Sequence, residues 1–308
     1  MKDSSIKRFL VKYYEIFHSK ITSTIYLAKI RIFYRLNIMT SEKTLKHILK
    51  HKCSVARYGD GEFSQILSEY NIGFQRYSPK LSKRLLETLH SDDHNLLICV
   101  PKYLSTVRKC NKNTKQFWLN WGKKDNQQVE ITKLLRNCRG KNYLYGDTQI
   151  TRPYMDLKSK KHAETIFALL KKLWDNRNIL IVEGKETRLG IGNDLFSNAK
   201  SISRILAPAK NAFDSYDEIL TAAETYCKDH LVLIALGPTA TVLAADLSAR
   251  GIQALDVGHM DIEYEWFLQQ ATEKVQIHGK FSNELKKPVA TADCVDPQYL
   301  SQIIYTCK

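Results

Sequence analysis

Two carboxylates flank a single glycine in the stretch ARYGDGEF (56–63), where Asp60 and Glu62 stand on either side of Gly61 with Gly59 just before them. If the chain is still extended there, alternate side chains point to one side, and the two acids converge on a shared point. Two hard oxygen ligands suit Mg²⁺ or Mn²⁺, which keep coordination positions open for water and substrate phosphate. A zinc site would call for more His and Cys at regular spacing. A pair of ordinary loop acids is the plainer reading of the same residues.

Three further stretches gather polar groups of a useful kind. In VEGKETRLGIGNDLF (182–196), Gly190 and Gly192 followed by Asn193 and Asp194 read as a glycine-containing loop entering a helix, where backbone N–H groups favour an anion. Arg188 could grip a phosphate with its planar fork. The third glycine of the dinucleotide fingerprint is missing, so a nicotinamide or flavin is poorly supported. In ALGPTAT (235–241), Pro238 and Thr239 stand where a strand hands over to a helix. In DVGHMDIEYEW (256–266), His259 is a candidate metal or phosphate ligand, and one of Asp261, Glu263 and Glu265 is a candidate general base. Plain helix starts and loop turns account for the same residues structurally.

The elements that must position these groups are legible as apolar runs. Six runs end in Gly, Pro or a polar residue, at 54–60, 95–102, 142–148, 178–185, 231–239 and 252–259. Their apolar content is nearly continuous, the pattern of strands covered on both faces. Helix-like segments separate them, so the expected fold is α/β: a Rossmann-like, mostly parallel sheet with helices on both faces. Ligands in such sheets bind beyond the carboxyl ends of the strands. Those ends supply Arg57 with Asp60 and Glu62, then Lys102, Asp147 with Thr148, Glu183 with Arg188, Thr239, and Asp256 with His259.

At 308 residues the chain is long enough to bury a full core, and 44% hydrophobic with 26% charged residues excludes disordered and multi-span membrane classes. The net charge of +15 implies an anionic partner: nucleic acid, phospholipid or a phosphorylated substrate. Part of that charge lies in residues 1–41, where Ile6, Phe9, Leu10, Tyr13, Ile16 and Phe17 recur at helical spacing among lysines and arginines. This basic amphipathic helical extension is expected to meet an anionic membrane surface, to pack on the domain, or to take a partner helix. No recognisable nucleic-acid motif appears, which argues against nucleic acid as partner. Seven cysteines without a C-x-x-C pair suggest a reducing compartment. With no long apolar span and no secretory signal, the expected location is cytoplasmic, peripheral to the inner face of the membrane.

Taken together, RYGDGE, ETRLGIGNDLF, ALGPTATVLAADL, DVGHMDIEYEW and GKFSNE (279–284) resemble the GT-D glycosyltransferases, a bacterial family, over about residues 42–285. The resemblance implies a domain at 42–285 between the extension at 1–41 and a tail at 286–308. It implies a nucleotide-sugar-dependent transferase, with UDP-hexose as the usual donor and a surface glycan, lipid-linked oligosaccharide or glycoprotein as acceptor. Asp60 and Glu62 would hold Mn²⁺ or Mg²⁺ against the donor diphosphate, while Arg57, Arg188 and the amides from Gly190 to Asn193 would hold the same phosphates. A metal-dependent phosphoesterase or nuclease would also use paired acids and a basic surface, and would release product without an acceptor sugar. Trp118 and Trp121 in NKNTKQFWLNWGKK (111–124) are candidates for stacking on a sugar.

Overall fold

A computed structural model of the chain describes residues 32–281 and 294–308, together with Tyr26 and Ala28. Most of the 1–41 extension, the last three residues of GKFSNE and the first part of the 286–308 tail lie outside the described residues.

In chain order the strands are β1 (Asn37–Ile38), β2 (Ser54–Arg57), β3 (Leu96–Val100), β4 (Leu144–Asp147), β5 (Asn178–Gly184), β6 (Ser201–Ala207), β7 (His230–Ala235), β8 (Ala254–Asp256) and β9 (Ile303–Thr306). They form one sheet in the order β1-β4-β3-β2-β8-β7-β5-β6-β9, parallel throughout. The expected α/β fold with a parallel sheet is therefore what the chain forms, and all six predicted runs are strands. Their side chains alternate between two apolar layers: Ala56, Ile98, Leu180, Val182, Val232 and Ile234 face one, and Val55, Leu97, Ile179, Ile181, Leu231 and Leu233 the other. Burial on both faces is the reason the runs are continuous rather than alternating.

The sheet reaches past 42–285 at both ends. β1 pairs with β4 ahead of that range, and β9 closes the far edge beyond it against β6. β6 is a third strand that no apolar run announced, because Arg204 interrupts SISRILA. That arginine is buried and paired at 2.5 Å with Glu183 of β5, so the strand keeps its place through an ion pair rather than through an unbroken apolar sequence.

The helices follow from caps and periodicity: α1 (Ser41–His51), α2 (Asp60–Leu67), α3 (Pro79–His90), α4 (Lys112–Lys123), α5 (Gln127–Arg139), α6 (Ala163–Lys171), α7 (Tyr216–Tyr226), α8 (Pro238–Ala249), α9 (Met260–Leu268) and α10 (Pro297–Gln302). The Ser78 hydroxyl accepts from Leu81 N at the start of α3, Pro79 takes the first helical position, and Leu81, Leu85 and Leu89 face inward one turn apart. α3 and α8 cover one face of the sheet, and α1, α6 and α9 the other. No helix among the described residues is long and apolar enough to cross a membrane.

Candidate active site

Parallel pairing puts every strand's carboxyl end on one edge, and one cleft of about 1430 Å³ opens there. Each of seven strands contributes its last residue or the one just after it: Arg57, Pro101, Thr148, Gly184, Pro208, Ala235 and Asp256. β2 and β8 are neighbours although five strands lie between them in sequence, and the acids Asp60, Glu62 and Asp256 line the cleft with His259 around this junction.

The two acids of GDGE do not lie on an extended chain. Asp60 opens α2 and Glu62 is its third residue, so their side chains diverge by about 200° around the helix instead of pointing to one side. The cause is one half of a capping box, the bond from the third helical residue back to the N-cap amide. Gly59 is the N-cap, and Glu62 Oε2 accepts from Gly59 N at 2.6 Å. Burial and then the negative charge of Asp256 push the Glu62 carboxyl up to about 7, with Asp60 adding to the effect. Across the cleft floor, Asp256 Oδ1 accepts from Arg57 Nη2 at 2.8 Å and Nε at 3.2 Å, while Arg57 Nη1 donates to Thr151 Oγ1 at 2.6 Å. Asp256 is nonetheless raised above the ordinary carboxylate range, because its desolvation outweighs the guanidinium. Arg57 thus orients an acid rather than presenting its whole fork to a phosphate.

Carboxylates that share an open cleft, one of them raised by the negative charge of the others, suit a hard cation. No group of three or more His, Cys, Asp or Glu is assembled as a ligand cage among the described residues. The residues present therefore fit an open Mg²⁺ or Mn²⁺ site completed by water and substrate oxygens, and do not fit a closed structural one.

Other predicted residues are placed elsewhere. Asp261, Glu263 and Glu265, expected to supply a base, are buried behind the cleft and do not line it. Asp261 accepts from Lys280 Nζ at 2.5 Å, Gly190 N at 2.9 Å and Asn193 Nδ2 at 2.7 Å. Glu265 accepts from Lys280 and Asn193, and Glu263 Oε2 takes Tyr154 N and Met155 N at 3.0 and 2.9 Å. A base must reach a substrate hydroxyl, and these acids are spent on holding chain segments together.

The glycine loop is likewise turned inward. Gly190 and Asn193 face Asp261 instead of an anion, Arg188 Nη1 donates to Gly279 O at 2.7 Å, and Asp194 binds Lys171 and Tyr264 at the surface. Gly192 is also outside the cleft, whose share of this loop is Gly184 and Thr187. Glu183 is buried against Arg204 and Leu189 N, and Asp147 against Ser41, so neither reaches the cleft, while Thr148 does. Pro238 and Thr239 are buried in the first turn of α8, and it is Gly237 before them that borders the cleft.

Several cleft residues had no motif to announce them. Asp256 had a signal, an acid closing an apolar run. Phe74 packs so closely on Gly237, whose φ is +56°, that a Cβ there would enter the ring. Asn113, Phe117, Arg152 and Asp156 build the wall beside β3 and β4.

The same architecture occurs in known proteins. A family model for the glycosyltransferase GT-D fold matches residues 55–285. The chain is 37% identical over 273 residues to a probable glycosyl transferase, Gly, of Streptococcus gordonii, covering 88% of this chain and 39% of that protein. It is 35% identical over 264 residues to the glycosyltransferase GlyD of Streptococcus pneumoniae serotype 4, covering 85% of this chain and 31% of that one. The chain thus spans well under half the length of these relatives. Among solved structures, a "highly conserved domain of unknown function 1792" with "a distinct glycosyltransferase fold" superposes with a TM-score of 0.83 at 38% identity, over 91% of this chain and 98% of that one. A glycosyltransferase of the same domain type from Streptococcus sanguinis gives 0.80 at 35% identity, over 89% and 100%. By family model, sequence identity and superposed fold alike, the chain belongs to the GT-D-fold glycosyltransferase family.

Proposed function

We propose that this chain is a metal-dependent glycosyltransferase that takes its sugar from a nucleotide-sugar donor, a UDP-hexose, and transfers it to a surface glycan, a lipid-linked oligosaccharide or a glycoprotein. The observation that carries this reading is the large cleft at the carboxyl edge of the sheet, lined by Asp60, Glu62 and Asp256 where β2 meets β8. Its volume of about 1430 Å³ exceeds the range of roughly 300–1,000 Å³ for one small molecule, leaving room for donor and acceptor together.

Asp60 and Glu62 would hold Mn²⁺ or Mg²⁺, with His259 at hand as the N-cap residue of α9 and the remaining positions left to water and substrate oxygens. The cation, when bound, would neutralise charge developing on the departing diphosphate. Arg57 holds Asp256 in place, and Thr241 Oγ1 supports the pair by donating to Arg57 O at 2.8 Å. The buried Asp261, Glu263 and Glu265 act as positioning residues that tie the segments around Gly190, Tyr154 and Lys280 to α9. The lysine and arginine excess of residues 1–40 would bring the chain to the anionic inner face of a membrane from the cytoplasm, where a lipid-linked acceptor would be presented.

The test is release of nucleoside diphosphate from a panel of nucleotide sugars with Mn²⁺ or EDTA, in the parent chain, Asp60→Asn and Glu62→Gln. Glu62→Gln keeps an oxygen for Gly59 N, so its effect reads the charge and not the helix start. Metal-dependent release from one donor, lowered at least about 100-fold in both variants, is expected. Cleavage of bis-nitrophenyl phosphate with no donor turned over would assign the acids to a phosphoesterase instead.

A further inference from the structure

The wall of the cleft beside β3 and β4 carries chemistry that the acids do not explain. Of the large hydrophobic side chains exposed at the surface, two line the cleft: Tyr70, 61% exposed, and Phe117, 47% exposed. Single exposed apolar residues need no explanation, but two aromatic rings at the mouth of one cleft do. Both are held in place. Phe117 stands edge-on against Trp118, ring centres 5.6 Å apart at 89°, and Trp118 is itself buried between Tyr103 and Trp121. Trp118 is 8% exposed and forms the backing, so the surface available for stacking is Phe117. The Tyr70 carbonyl accepts from the buried Gln65 Nε2 at 2.9 Å, and Lys124, just past α4, lies 5.7 Å from its ring centre.

Polar groups with fixed geometry surround the rings. Asn113 lies one turn before Phe117 on the same face of α4. Asp156 Oδ1 accepts from Thr114 Oγ1 and Oδ2 from Arg152 Nε, both at 3.1 Å. The segment carrying that pair is stitched to the start of α4, because Asn111 N donates to Asp156 O and Asn111 Nδ2 to Met155 O. Arg152 and Asp156 cancel in charge, so this pair brings no net charge to the wall, whereas the junction of β2 and β8 is acidic.

We infer that Tyr70 and Phe117, with Asn113, Arg152 and Asp156, form the subsite for the neutral acceptor saccharide, an assignment that rests on the transferase reading above. A pyranose ring has an apolar C–H face and a rim of hydroxyls. The first matches an aromatic face, and the second matches planar amide, guanidinium and carboxylate groups. A guanidinium already paired with a carboxylate offers hydrogen bonds without net charge, which suits a sugar without phosphate.

The experiment is saturation-transfer NMR on the full chain with methyl glycosides of glucose, galactose, N-acetylglucosamine and N-acetylgalactosamine and their disaccharides. In parallel, the thermal shift produced by UDP with Mn²⁺ is recorded. Phe117→Ala and Tyr70→Ala are expected to weaken glycoside binding about three- to tenfold each, and Phe117→Trp to restore it. Tyr226→Ala, an exposed ring outside the cleft, is the control for surface aromatics. Equal glycoside signal in the parent chain and Phe117→Ala overturns the assignment, as does the absence of signal from every glycoside. Loss of the UDP shift in Phe117→Ala would give the rings to the donor and overturn it too. Glycoside binding that persists in a chain turning over no nucleotide sugar would sink the transferase reading and leave a saccharide site standing.

Discussion

Replacing Asp147 by Asn is expected to stabilise the protein near neutral pH, although the carboxylate accepts three hydrogen bonds. Asp147 closes β4, is 3% exposed, and takes Ser41 Oγ at 2.9 Å, Gln149 N at 3.1 Å and Lys102 N at 3.3 Å. Burial outweighs those donors and pushes its carboxyl up to about 6. A carboxyl raised in the fold binds its proton more tightly there than in the unfolded chain, where about 3.9 is ordinary. Stability is therefore greatest below the unfolded value and declines as pH rises, levelling off above about 6. The whole decline is about 2–3 kcal/mol, of which about 2 kcal/mol falls between pH 4.5 and 7.5.

Asparagine removes the charge without abandoning the bonds. Its oxygen can stay with Gln149 N and Lys102 N, and its amide can donate to Ser41 Oγ, which turns to accept. Urea unfolding of the parent chain and Asp147→Asn at both pH values isolates this group, since every other titration is common to the pair. The expected result is near equality at pH 4.5 and a variant more stable by about 1–2 kcal/mol at pH 7.5. A variant less stable by the same amount at both values would refute the reasoning, and would show that the charged form is the one the fold requires. Because Asp147 does not reach the cleft, nucleotide-sugar turnover by the variant is expected within about twofold of the parent.

Two other substitutions test features that hold the cleft's edges. Arg204→Met leaves the buried Glu183 carboxylate without its partner and should cost about 3–5 kcal/mol in urea unfolding, while adding Glu183→Leu should recover most of the loss. Gly237→Ala forces a side chain at φ +56° into the Phe74 ring, and a loss of at least about 2 kcal/mol by the same measurement, with lowered donor turnover, is expected.

How far the sequence exposed this architecture depends on how local each cause is. The six apolar runs were legible because burial on both faces leaves a continuous signature within a few residues. β6 was not, since its membership depends on Glu183, 21 residues before Arg204. The acids behave the same way. Glu263 accepts from amides 108 and 109 residues away, and Asp147 from a hydroxyl 106 residues away, so nothing near them in sequence distinguishes them from acids facing a ligand. A strand end is a place where side chains can turn either toward the cleft or back under it, and residue type alone does not choose between the two.

GDGE shows how one spacing can carry two meanings. A glutamate three residues after an N-cap has the spacing of a capping box, and its half of the box is realised, with Glu62 bonded back to Gly59 N. That bond occupies one carboxylate oxygen, and the charge that acts most strongly on Glu62 is that of Asp256 rather than that of Asp60. The convergence expected between residues two apart on an extended chain is therefore replaced by convergence across the β2–β8 junction, between residues 194 apart in sequence. The consequence for the cation is specific. It would be held between the start of α2 and the end of β8, where an early and a late strand of the sheet lie side by side, with the aromatic wall toward β3 and β4.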